Sequence, residues 1–218
     1  MIKKINILFL SPHTDDVELG CGATISKLSS KNVNLFYLAF SDCKESLNKK
    51  YEKNTLRIES FKSSKYLGFK EKNIRVLNYK VRNFLDKRQN ILDEMIKVKN
   101  EFKPNIVFTT SASDVHQDHQ VIYHESLRAF KFLTVFSYEL PWNDKAFKPN
   151  FFVELPKKYI NKKIQSLKYY KSQSKKSYFN SEYLMSHAIF RGVQNDSKYA
   201  EAFKIVNMNN KYNFFNLF

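Results

Sequence analysis

The chain is poor in several residues, and each scarcity closes off a class of protein. Among 218 residues there are two cysteines, Cys21 and Cys43, four glycines and five prolines. The cysteines stand just after apolar runs rather than in paired metal-ligand spacing. That excludes a disulfide-stapled scaffold and a thiolate zinc module, and reads as free thiols in a reducing compartment. Gly20 and Gly22 begin a dinucleotide-type fingerprint, but Ile25 occupies the place of its third glycine, which argues against such a cofactor. No repeat, low-complexity tract or Gly/Ser/Pro linker divides the sequence, so a single domain over 1–218 with a substantial core is expected. No apolar run is long enough to span a bilayer. The short run after Met1-Ile2-Lys3-Lys4 reaches Asp15 and Asp16 too soon for a secretory signal, so a cytoplasmic enzyme is expected.

Acidic residues are also few, 21 against 37 basic ones, for a formal net charge of +16. Only six of the basic residues are arginine. Dispersed lysine beside abundant Asn, Ile and Phe reads first as composition and solubility. The functional alternative is attraction to nucleic acid, an anionic membrane or a phosphorylated substrate. Lys168 to Tyr178 interleaves lysine with aromatics in a way that suits stacking on bases or lipid, although such stretches are more often solvated helix faces with inward tyrosines.

What the chain does have is apolar runs that end in polar loops. Ile5 to Leu10 is uninterrupted, as a strand of a parallel sheet covered on both faces must be, and Ser11-Pro12-His13-Thr14-Asp15-Asp16 follows it. Ile106 to Thr110 repeats the pattern ahead of Asp114-Val115-His116-Gln117-Asp118-His119. Three of the five histidines lie in these two loops. Adjacent Asp15 and Asp16 point different ways, so one can ligate a metal while the other faces the space beside it. Imidazole and carboxylate suit zinc, iron or manganese, and a catalytic centre needs three protein ligands with one position open.

Between and after these loops, strands are expected at Val33–Phe40, Ile74–Leu77, Thr134–Glu139 and Phe151–Leu155. Helices are expected at Gly22–Ser30, Asn54–Leu67, Arg88–Phe102, Gln120–Phe132 and Lys158–Ser172. Alternating strand and helix imply a three-layer, Rossmann-like α/β fold whose mainly parallel sheet carries the active site at the carboxyl ends of its strands.

Pro12-His13-Thr14-Asp15-Asp16-Val17-Glu18-Leu19-Gly20, with His116-Gln117-Asp118-His119, resembles the zinc-dependent de-N-acetylases of the LmbE-like and N-acetylglucosaminyl-phosphatidylinositol deacetylase family. The likeness extends to Ser41-Asp42, Ser172-Gln173, Arg191-Gly192 and Tyr199 to Phe203, nearly the whole chain. It implies His13, Asp16 and His119 as ligands of Zn2+ or another divalent transition metal such as Fe2+. It further implies Asp15 as general base, His116 as the stabiliser of the tetrahedral oxyanion, best as imidazolium, and Asp118 as a partner orienting a histidine. Arg57 and Arg191 fall on substrate-binding positions. Thr14 departs from the family's usual proline, and Val17 from a frequent glutamate. The implied reaction is hydrolytic removal of acetyl from an N-acetylated sugar or amino-sugar conjugate, one that the charge suggests is anionic. Nucleic acid and an integral membrane segment are not expected, and a homo-oligomer stays open. The competing classes are a phosphoesterase using Asp15 and Asp16, and a basic nucleic-acid or membrane-surface protein.

Overall fold

In a computed structural model that describes residues 4–209 and 215–218, one seven-stranded sheet runs through the molecule in the order β3-β2-β1-β4-β5-β7-β6. The strands are β1 (Ile5–Ser11), β2 (Val33–Ala39), β3 (Ile74–Val76), β4 (Ile106–Thr109), β5 (Thr134–Tyr138), β6 (Phe151–Glu154) and β7 (Ala200–Asn207). The first five are parallel, and β7 and β6 close one edge antiparallel.

Period-two alternation divides the core. Ile7 and Phe9 of β1 face a layer built by α1 (Asp16–Leu28), α2 (Thr55–Leu67), α5 (Lys157–Leu167) and α6 (Ser181–Val193). Leu8 and Leu10 face the other layer, α3 (Arg88–Phe102) and α4 (Gln117–Ala129). Burying both faces is why these strands read as continuous apolar runs. The order also fixes the site. The chain leaves β1 toward β2 and β3, then returns to lay β4 on the other side of β1, so the loops after β1 and β4 open into one crevice.

Several elements differ from the sequence expectation, each for a packing reason. α1 begins at Asp16, not Gly22, and takes both glycines into its interior. A Cβ on Gly20 would lie 2.4 Å from Tyr138 Cδ2, and one on Gly22 would lie 2.8 Å from Lys163 Cγ. The glycines thus admit side chains of β5 and α5. α4 begins at Gln117 because His116 caps it, its Nδ1 accepting the Asp118 N–H at 3.2 Å. α5 ends at Leu167, and the basic stretch beyond it folds into short turns over the crevice. α6 and β7 have no counterpart in the sequence reading. β7 is specified by its antiparallel partners β5 and β6 rather than by local pattern.

Candidate active site

The loop after β1 is fastened from several sides. The Ser11 hydroxyl donates to the His13 carbonyl and accepts the Val17 N–H at 3.2 Å. The Thr14 carbonyl accepts from Tyr37 of β2 at 2.7 Å and also from Tyr170, which follows α5. The Tyr170 hydroxyl lies 2.9 Å from Glu18 Oε1, which Ser64 also reaches at 3.0 Å. Burial pushes Glu18 up to about 8, against these hydrogen bonds, so it is held mostly protonated at neutral pH. Where the resemblance leads one to expect a proline, two phenols hold the Thr14 peptide.

This loop and the one after β4 converge. Nδ1 of His13 lies 3.1 Å from Nε2 of His119, and Oδ2 of Asp16 lies 3.2 Å from the first and 3.3 Å from the second. Donors bound at zinc distances with tetrahedral angles stand about 3.3 Å apart, so this triangle fits three ligands of one ion with a face left open. The outward nitrogens are fixed. His119 Nδ1 stands 2.7 Å from Asp114 Oδ2, and His13 Nε2 stands 3.0 Å from Asp118 Oδ2. Each carboxylate sets the tautomer that aims the other nitrogen at the triangle. Asp118 also accepts the backbone N–H of Arg82 at 2.6 Å and of Phe84 at 3.3 Å. Burial opposes ionisation of Asp118, but His13 and these N–H groups hold it below the usual carboxylate range.

The electrostatics favour a cation at the triangle. Burial alone would depress His119, yet Asp16 and Asp114 raise it to about 10. Burial is likewise overcome at Asp16, which the two imidazoles hold well below its ordinary value. Asp15 behaves oppositely to its neighbour: burial first, then the Asp16 charge, raise it, and Lys176 pulls it back. One aspartate is a poor base suited to holding a metal, and the next is a stronger base facing the cleft.

His116 is a third imidazole in the group, the three histidines having ligand nitrogens within 4.8 Å of one another. Its Nδ1 already accepts from the end of α4, and burial, then the charges on His119 and His13, lower it to about 4. His116 is therefore a neutral imidazole with its proton on Nε2. This corrects the imidazolium expected above, and a dication nearby would depress it further.

These groups open into a cleft of about 350 Å³, also lined by Leu56, Arg82, Trp142, Gln173, Lys176 and Tyr178. The Trp142 and Tyr178 rings stack at 4.0 Å to form one wall. Neither Arg57 nor Arg191 lines it. The Arg57 guanidinium donates to the Val76 carbonyl at 2.7 Å and to Asp42 at 3.5 Å, and Arg191 is buried against Glu139. Sequence reasoning had not assigned a role to Asp114, Arg82 or Lys176. Asp114 is legible as one of the two acids in the second loop, whereas nothing local marks Arg82.

A family model described as GlcNAc-PI de-N-acetylase matches residues 8–130, which include both loops. The chain belongs to that family. As a family member it is 28% identical over 181 residues to the uncharacterized deacetylase YaiS of Escherichia coli K12, covering 78% of this chain and 92% of that one. Its fold matches the N,N'-diacetylchitobiose deacetylase of Pyrococcus horikoshii, solved with an inhibitor, at TM-score 0.78 and 23% identity over 98% of this chain and 88% of that one. The 4-carboxy-2-hydroxymuconate hydratase GalB of Pseudomonas putida matches at TM-score 0.77 and 18% identity, over 96% of this chain and 99% of that one. A deacetylase and a hydratase share the fold, so the fold alone does not decide the chemistry.

Proposed function

We propose that this member of the GlcNAc-PI de-N-acetylase family is a metal-dependent hydrolase that removes acetyl from the amide nitrogen of an N-acetylated sugar or amino-sugar conjugate. The observation that carries the reading is the placement of Asp15, buried and raised in pKa, beside the donor triangle and open to the cleft. His13, Asp16 and His119 would hold the metal, which when bound supplies Lewis-acid activation of water and of the acyl oxygen.

Amide hydrolysis also needs a base, an oxyanion partner and a proton for the leaving amine, and this chain has groups for each. Asp15 takes the proton from the attacking water and returns it to the departing nitrogen. His116, neutral and protonated on Nε2, donates to the oxygen that gains charge in the tetrahedral state, so it needs no protonation change during turnover. Asp118 and Asp114 act through His13 and His119 as positioning residues. The two histidines in the triangle argue against a magnesium phosphoesterase, since that ion prefers oxygen donors.

The test combines elemental analysis of protein purified without added metal with an acetate-release screen over N-acetyl sugars. His13→Ala and His119→Ala should each lose the metal, and Asp15→Asn should keep it while turnover drops roughly 10²- to 10⁴-fold. Metal retained in both histidine variants sinks the ligand assignment, and undiminished turnover in Asp15→Asn returns that residue to a structural role.

A further inference from the structure

All six arginines lie among the described residues, and five have a carboxylate partner. Arg57 pairs with Asp42, Arg75 with Glu101, Arg88 and Arg128 with Glu125, and Arg191 with Glu139. Arg82 has no acidic partner among the described residues, and it lines the active-site cleft. Its backbone is also unusual, with φ at 66° in the left-handed region that favours glycine. That conformation is held by the 2.6 Å bond from its N–H to Asp118, which in turn orients His13. A strained, cleft-lining residue with an uncommitted guanidinium marks a place where the fold has kept a charge available.

Lys176 lies in the same cleft, on the turn after α5. Among the described residues it forms no close ion pair; its ammonium bonds the Tyr178 side chain, and the largest charge acting on it is that of Asp15. The other carboxylates on the cleft wall are Asp15 and Asp16, which the proposed chemistry uses. Apart from these two carboxylates, the charged lining is cationic, with the Trp142–Tyr178 wall offering an apolar face.

We infer that Arg82, assisted by Lys176, forms an oxyanion subsite, so that the substrate is an N-acetylated amino sugar carrying a phosphate or carboxylate group. The inference deepens the deacetylase reading and rests on it for the sugar, but the subsite itself is defined by the two cations. A planar guanidinium engages phosphate or carboxylate through paired hydrogen bonds, and a lysine adds a point charge without that directionality. The dispersed surface lysines would speed encounter with any anion; only a built subsite discriminates at equilibrium.

Binding is the primary readout, because it does not depend on turnover. Affinities of the intact protein for N-acetylglucosamine, N-acetylglucosamine 6-phosphate, N-acetylglucosamine 1-phosphate and N-acetylmuramic acid are measured by calorimetry. The same titrations are run on Arg82→Asn, which tolerates the left-handed backbone, and on Arg82→Lys. At least one anionic sugar should bind roughly 10- to 100-fold more tightly than the neutral one. That ratio should collapse in Arg82→Asn and fall part-way in Arg82→Lys, and the favoured anion distinguishes phosphate from carboxylate. Equal affinity for neutral and anionic sugars, or a preference that survives in Arg82→Asn, overturns the subsite. Acetate release from the neutral sugar, scored in parallel, reports on the deacetylase reading alone, so the two failures are distinguishable.

Discussion

Asp15 and Asp16 have the same side chain on consecutive residues and opposite shifts, because each carboxylate meets different neighbours. Asp16 lies between two imidazoles, whereas Asp15 has burial and the Asp16 charge against its ionisation, with Lys176 and, less strongly, His13 in its favour. This arrangement predicts the pH behaviour. The base works as a carboxylate, so kcat/KM falls as pH drops through its pKa. Lys176→Met removes the cation that lowers that pKa, so the acid limb should move to higher pH in a pH–rate series. A limb unmoved by Lys176→Met would show that another group sets it. His116, near 4 and neutral, should not set that limb.

At the scale of elements, the loop after β1 takes its shape from side chains that arrive from β2 and from beyond α5. Tyr170→Phe removes one hydroxyl, leaving the Thr14 carbonyl with Tyr37 and Glu18 Oε1 with Ser64. Because both acceptors keep a partner, the loss is that of net hydrogen bonding, about 0.5–1.5 kcal/mol per bond. We expect a lower denaturation midpoint together with a fall in kcat at nearly constant KM, since the Thr14 peptide leads directly into the base. The start of α1 makes a sharper test. Helix propensity alone says Gly20→Ala stabilises by about 0.5–1 kcal/mol. Packing says the reverse: the new Cβ would lie 2.4 Å from a ring of Tyr138 that is buried and anchored by its hydroxyl to the Leu10 carbonyl at 2.9 Å. Overpacking of this kind costs about 1–3 kcal/mol. Urea unfolding of Gly20→Ala should therefore show net destabilisation, and a stabilised variant would mean that Tyr138 can yield.

Over the whole molecule, the sheet order brings together groups more than a hundred residues apart, so the metal ligands would also clasp the two halves of the fold. His13 follows β1 and His119 sits on α4. A ligand held by the native state alone adds RT ln(1 + [L]/Kd) to stability, about 2.7 kcal/mol at a hundredfold excess over Kd. Chelation should lower Tm by roughly 5–10 °C, with recovery on adding back a divalent transition metal. No shift on chelation would mean that the site binds no metal tightly. Among the described residues no helix is long and apolar enough to cross a membrane.

Local sequence determined the elements whose pattern is self-sufficient. The apolar runs of β1 and β4, the amphipathic spacing of α3 and the Gly68 that closes α2 in the left-handed region all follow from side-chain periodicity and backbone sterics. The residue types of the site were legible too, since imidazole and carboxylate in two strand-end loops limit the chemistry available. Tertiary structure decided everything that depends on a neighbour distant in sequence. α1 carries two glycines in its interior because Tyr138 and Lys163 fill the space beside them. His116 is neutral because it is partly buried beside two other imidazoles and caps α4 through Nδ1. Arg57 and Arg191 are engaged by Asp42 and Glu139, while Arg82, held in a strained turn by Asp118, is the arginine left facing the cleft. Charge state and availability are properties of surroundings, and a chain acquires its surroundings only when it folds.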